Sequence, residues 1–171
     1  MARLKKQSKV DLVGLYHGTT LTNFIQICHD SAIQTSFGVV YLTQSFEKAF
    51  DYAVQNDPSC GVILQLQVDS INLKPDYDDL DNIWDYISEE DEDEWAAKDL
   101  DNLTWEDTIK LCGQCYYEGA IPTNLITGVK FVGPQTDALE NLLGAKWRTS
   151  WNDPWLSFNE AQQLAFKTQE L

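Results

Sequence analysis

Arginine is nearly missing from this chain, occurring twice in 171 residues, at Arg3 and Arg148. Lys and Arg together number 12 against 27 Asp and Glu. An acidic surface repels phosphate backbones, which argues against general nucleic-acid binding. No stretch of about 18 apolar residues occurs, so no membrane-spanning helix is expected. The first residues, Met1 to Lys9, are basic and lack the apolar centre of a signal peptide. The expected location is therefore the cytoplasm.

What is present describes a folding chain. Apolar residues make up 43% and aromatics 12%, enough for a core in a single domain spanning residues 1–171. The net charge of −15 is concentrated. Between Asp69 and Asp107 there are 16 acids and two lysines, a net −14, whereas the remainder holds 11 acids and 10 basic residues. Residues 69–107 therefore read as an acidic insertion, in which Glu89 to Glu94 are six consecutive acids. Such a run reads as solvated surface or a loop. Trp84, Trp95 and Trp105 in the same segment argue that it docks on something apolar.

Periodicity places the elements. Leu12–Tyr16 reads as a short strand that delivers His17, and Thr20 or Thr22 caps a helix reaching about Ser31. Gly38 opens a β-branched strand, Val39-Val40-Tyr41-Leu42. A second helix follows the cap Thr43-Gln44-Ser45, with Phe46, Ala49, Phe50 and Ala53 facing inward. Asn56-Asp57-Pro58-Ser59 is a turn, and Gly61–Val68 a half-buried strand. Pro75 breaks that pattern. A helix over Thr104–Lys110 and strands over Cys115–Ala120 and Ile126–Val132 follow. The tail from 133 to 171 carries Trp147, Trp151 and Trp155 and a last helix from Ser157 to about Lys167.

Strand–His17-Gly18-Thr19–helix, then a strand with Tyr41 and a helix with Tyr52, resembles the NAD pocket of the ADP-ribosyltransferase superfamily. The likeness is to the branch of diphtheria-type toxins and poly-ADP-ribose polymerases, whose pattern is His, Tyr and Glu. It covers about Leu12 to Val132. The resemblance implies an α+β fold of two packed antiparallel sheets, a split β-sheet sandwich with an NAD cleft. It implies NAD as the substrate, one ADP-ribose being transferred to a macromolecule, a protein more readily than a nucleic acid. His17 would then bond a ribose hydroxyl, the Gly18 backbone would meet the carboxamide, Tyr41 and Tyr52 would stack on nicotinamide, and Thr19 would belong to the same cofactor-binding set. By analogy the role is that of a bacterial or phage effector, such as the toxin of a toxin–antitoxin pair, with an antitoxin or a target protein as partner. RNA 2′-phosphotransferases share the His-Gly-Thr step, but they rely on several arginines to hold phosphates.

The expected acid is where the chain departs from the pattern. Eight residues before Pro122 stands Gln114, which can bond a ribose hydroxyl but cannot offer negative charge. Glu118 lies four further on, on the same side of a strand as Gln114, and is the first candidate for a displaced carboxylate. An acid from the insertion is the other source. Without any carboxylate the chain would be a silent binding module acting through its acidic segment. That segment reads as a docking surface for a basic partner, outside the NAD pocket, with a lid over the cleft or a plain solvated loop as the alternatives. Cys112-Gly113-Gln114-Cys115 has the spacing of a redox or zinc half-site. Cys28 next to His29 suits tetrahedral ligation poorly, and buried structural thiols are the main expectation for all four cysteines.

Overall fold

Leu12–Thr20 forms the first strand, β1, because its whole length finds a partner. All nine residues pair antiparallel with β4 (Gly61–Asp69), from Leu12 opposite Asp69 to Thr20 opposite Gly61. The expected strand ended at Tyr16. Pairing carries it four residues further, so His17 and Gly18 lie inside a strand rather than after it. The computed structural model describes residues 10–55, 58–78, 80, 83–133 and 155–170.

Thr20 ends β1 and caps α1 (Leu21–Asp30), its hydroxyl accepting from the Asn23 amide at 3.1 Å. After the two-residue strand β2 (Ala32–Ile33), a hairpin turn leads into β3 (Val39–Thr43). Phe37 and Gly38 sit at that turn with φ of 54° and 88°, the left-handed pair that a two-residue hairpin demands. Helix α2 (Phe46–Gln55) comes next, then β4. The acidic segment contains β5 (Leu73–Pro75) and the short helix α3 (Glu92–Ala96), and leads into α4 (Trp105–Cys112). Strands β6 (Gln114–Glu118), β7 (Ile121–Pro122) and β8 (Ile126–Val132) and helix α5 (Phe158–Thr168) complete the order. Among the described residues no helix is long and apolar enough to cross a membrane.

The result is a mixed α+β fold. Its main sheet has six antiparallel strands in the order β5-β6-β3-β1-β4-β8, and β2 and β7 form a separate two-stranded ribbon. The expectation of two packed sheets is corrected accordingly. Helices α1 and α5 cover one face, where Phe24, Ile27, Cys28, Ala161 and Ala165 join Leu15, Leu42, Leu64 and Cys115 in the larger core cluster. On the other face Phe46, Ala49 and Ala53 of α2 pack on Ile63 and Val132. Trp155 belongs to that side, stacked on Tyr16 with ring centroids 5.8 Å apart. The tail's Trp147 and Trp151, the Asn56-Asp57 turn and the arginines lie outside the described residues.

The main sheet is nearly divided. β1 and β3 share a single register pair, Tyr16 opposite Thr43, whereas β3 and β6 share five. Beyond that pair the strands part. The side chain of His17 crosses the gap, its Nδ1 2.9 Å from the Tyr41 carbonyl oxygen, where a continuous ladder would place a backbone amide.

The acidic segment is built into this body. β5 is an edge strand on β6, ending with Pro75 opposite Cys115, a position that tolerates proline because edge strands need fewer ladder donors. Trp95 is 1% exposed, with the ammonium groups of Lys98 and Lys110 4.5 and 5.3 Å from its ring centroid. Lys98 is also ion-paired to Asp107. The Tyr77 hydroxyl accepts from the Leu103 amide at 2.7 Å. Thr104 and Asp107 form a capping box that starts α4.

Candidate active site

At the fork where β1 and β3 part, a cavity of about 560 Å³ opens, well within the range of about 300–1,000 Å³ usual for small-molecule sites. β1 contributes Tyr16 to Thr20, α1 contributes Asn23, Gln26, Ile27 and Asp30, and β3 contributes Val39 to Thr43. Residues 33–36 ahead of β3, Tyr52 of α2, Gln114 of β6 and two aspartates of the acidic segment, Asp76 and Asp78, complete the wall. None of the described residues lining it is a lysine or an arginine.

His17, Gly18, Thr19, Tyr41, Tyr52 and Gln114 are all brought together here. His17 is partly buried, and burial holds its imidazole below the ordinary value of 6.5 against the opposing pull of the Tyr41 carbonyl. A carbonyl only accepts, so the neutral ring carries its proton on Nδ1. Nε2 is then left as an acceptor, the form needed to receive a hydroxyl hydrogen bond.

Gly18 has a plain structural reason beside any role at a ligand. A Cβ built there would stand 1.9 Å from the carbonyl oxygen of Ala49 and 2.9 Å from the Ala53 amide nitrogen. Helix α2 lies directly on the β1 backbone, so it brings Tyr52 over the fork. The small residues are the condition for that approach.

Both tyrosines are held by their hydroxyls. Tyr52 donates to Gln114 Oε1 at 2.7 Å, and Gln114 Nε2 donates to Asp76 Oδ2 at 2.8 Å. Asp76 is fully buried and its Oδ1 accepts from the Asp78 amide at 3.0 Å. The Asp76 amide in turn donates to Thr108 Oγ1 at 3.2 Å. Tyr41 donates to Asp78 Oδ2 at 2.8 Å. That bond, with burial and the aspartate charges adding to it, pushes the Tyr41 hydroxyl up to about 12.

Glu118 is placed elsewhere. It pairs with Val39 at the far end of β6, four residues and roughly 13 Å from Gln114 along the strand. It is exposed, lies 4.0 Å from Lys74 and does not line the cavity. Its side of the strand matches Gln114, but strand rise separates them. The expectation that the acidic segment stays outside the pocket is corrected by Asp76 and Asp78. No single-residue signal marked these two among 16 acids. The one hint was Pro75, which ends an edge strand and turns the chain inward.

None of the cysteines lines the cavity, although Cys112 and Cys115 flank Gln114 in sequence. Cys112 ends α4, its thiol donating to the Thr108 carbonyl at 3.2 Å. That helix end is the wrong one to stabilise a thiolate. Cys115 is buried, and burial is the main cause pushing its thiol up to about 12. Among the described residues no three His, Cys, Asp or Glu side chains gather to hold a metal ion.

Comparisons with protein-family models, with curated proteins and with solved structures found no match to this chain.

Proposed function

We propose that this fork binds NAD and that the protein is an ADP-ribosyltransferase acting on a macromolecule, a protein in preference to a nucleic acid. The observation that carries the reading is the convergence of His17, Tyr41, Tyr52 and Gln114, drawn from four separate elements, on one cavity. Cleaving the bond between nicotinamide and ribose leaves positive charge on the sugar, so a catalyst must hold the leaving ring still and meet that charge. Tyrosine rings anchored through their hydroxyls lose little freedom when a flat ring stacks on them. A neutral His17 with Nε2 as acceptor suits a ribose hydroxyl.

Charge layout favours the same ligand. NAD carries its positive charge on nicotinamide and its negative charge on the diphosphate. The aspartates that tether Tyr41, and Tyr52 through Gln114, sit beside the proposed nicotinamide platform. The N-terminus of α1, which borders the cavity through Thr20 and Asn23, lends the positive end of its dipole to that side, where a phosphate is favoured. The rival reading is a silent binding module, favoured by Gln114 standing where a carboxylate belongs.

Calorimetric titration with NAD, followed by incubation with labelled NAD and a cell lysate, tests the proposal. Binding is expected, with label entering protein. Tyr52→Ala removes one stacking surface and is expected to weaken binding about 5- to 30-fold, which is about 1–2 kcal/mol. A wild-type protein that does not bind NAD sinks the reading. Binding without any transfer or nicotinamide release leaves the silent module standing.

A further inference from the structure

Resting on the proposed NAD site, we infer that the catalytic carboxylate of this protein is Asp78, delivered to the fork by the acidic segment, with Asp76 as the residue that positions it. Gln114 contributes no charge of its own, and both ends of its amide are engaged, Oε1 by Tyr52 and Nε2 by Asp76. Three carboxylates line the cavity, and their surroundings separate their roles. Asp30 lies at the far end of α1, about 15 Å along the helix from the fork, and its Oδ1 accepts from Gln26. Asp76 is fully buried, with Oδ1 and Oδ2 taken up by the Asp78 amide and Gln114. Asp78 is exposed to the cavity, and the Tyr41 hydroxyl fixes one oxygen, Oδ2. Among the described residues no donor reaches its Oδ1. It is thus oriented by a neighbour yet open to a ligand.

The segment is anchored at two points and braced internally at a third. β5 pairs with β6, the Asp76 amide reaches Thr108, and the Tyr77 hydroxyl holds the Leu103 amide. A carboxylate held this way meets developing positive charge without having to reorganise first. In the reaction the C1′–nitrogen bond breaks and its electron pair leaves with nicotinamide. Positive charge on C1′ is stabilised by the Asp78 carboxylate. A lone pair of the acceptor, or of water, then forms the new bond to C1′, and the proton it sheds passes to Asp78 and on to solvent. The tyrosine beside Asp78 keeps its own proton throughout, because its hydroxyl is raised to about 12.

The test compares Asp78→Asn, Asp76→Asn and Glu118→Gln in the full chain. NAD binding is read by calorimetry and nicotinamide release by chromatography. Asparagine at 78 still accepts from Tyr41, so the fold and the platform persist. Asp78→Asn is expected to keep NAD affinity within about threefold while nicotinamide release falls about 100-fold. Glu118→Gln is expected to retain the wild-type rate. Asp76→Asn is expected to lower the rate and also disturb the Tyr41 absorbance titration, because Asp78 loses its support. Asp78→Glu is expected to recover part of the rate lost by the asparagine.

Release at more than a tenth of the wild-type rate in Asp78→Asn, or loss of release in Glu118→Gln instead, overturns the assignment. So does a wild-type protein that binds NAD but releases no nicotinamide even with lysate present. Absence of NAD binding is a different failure, that of the pocket reading, and it takes this inference with it.

Discussion

The two flanks of β1 differ more than any other neighbouring regions of the molecule. Along one flank nine residue pairs join it to β4, and α2 lies on the backbone through Gly18 and Gly61, where added Cβ atoms would collide with Ala49 and Ala53. Along the other flank a single pair joins it to β3, and the space beyond is a cavity lined by both polar and aliphatic side chains. One strand therefore serves as scaffold on one edge and as the wall of a site on the other. Close packing holds position along the paired edge, and side-chain bonds such as His17 to Tyr41 substitute for ladder bonds along the open one.

The packed flank carries the largest expected effect. Gly18→Ala forces a methyl group into the α2 backbone and is expected to destabilise the fold by about 3 kcal/mol, read by denaturant unfolding. A loss below about 1 kcal/mol would mean that α2 can retreat and that this flank is no more rigid than the other.

On the open flank the expected effect is spectroscopic. In a rapid alkaline titration followed by tyrosine absorbance, one tyrosine of the wild type should ionise only near 12. In Asp78→Ala, which removes the acceptor, it should return toward the ordinary value of about 10. The linkage sign is set by the raised value. Between about 10 and 12 the folded state keeps a proton that the unfolded state has lost, so stability falls with rising pH across that window. Unchanged titration in the variant would break the proposed Tyr41–Asp78 tether.

The smallest effect belongs to His17. Its imidazole is held below 6.5 in the folded state, so on acidification through 6.5 the unfolded chain takes up a proton first. Stability conferred by the neutral ring is complete above 6.5 and declines as pH drops toward the folded value. Melting temperatures between pH 7 and pH 5 should therefore fall more steeply for the wild type than for His17→Gln. Parallel curves would show that the bridge across the gap does not depend on a neutral ring.

The long elements were legible because each carried a period and a punctuation mark. Thr20 caps α1, Thr104 caps α4 and Ser157 caps α5 where their sequences suggested a start. The missed strands β2, β5 and β7 have two or three residues each, too few to display alternation. Pro75 reads as a breaker in isolation, and only its place on an edge strand makes it compatible with the sheet. His17, Tyr41, Tyr52 and Gln114 were singled out through the family resemblance, and the structure brings the four to one cavity. Asp76 was not, because 38 residues separate it from Gln114, and a segment dense in acids hides the one or two that have partners.

The sheet order has a consequence for how the protein acquires its structure. Strands β5, β6 and β3 lie on one side of the parting and β1, β4 and β8 on the other. Following the chain from β1 to β3, back to β4, over to β5 and β6 and finally to β8, the polypeptide crosses that line four times. Neither half is a continuous stretch of sequence, so no cut of the chain releases one as an autonomous unit. Each half can close only after segments distant in sequence have met, and the entropy of closing those loops comes before the pairing that rewards it. The body of the molecule is thus committed to folding as one slow, cooperative event, even though its two halves scarcely touch along the line where the ligand is expected to enter.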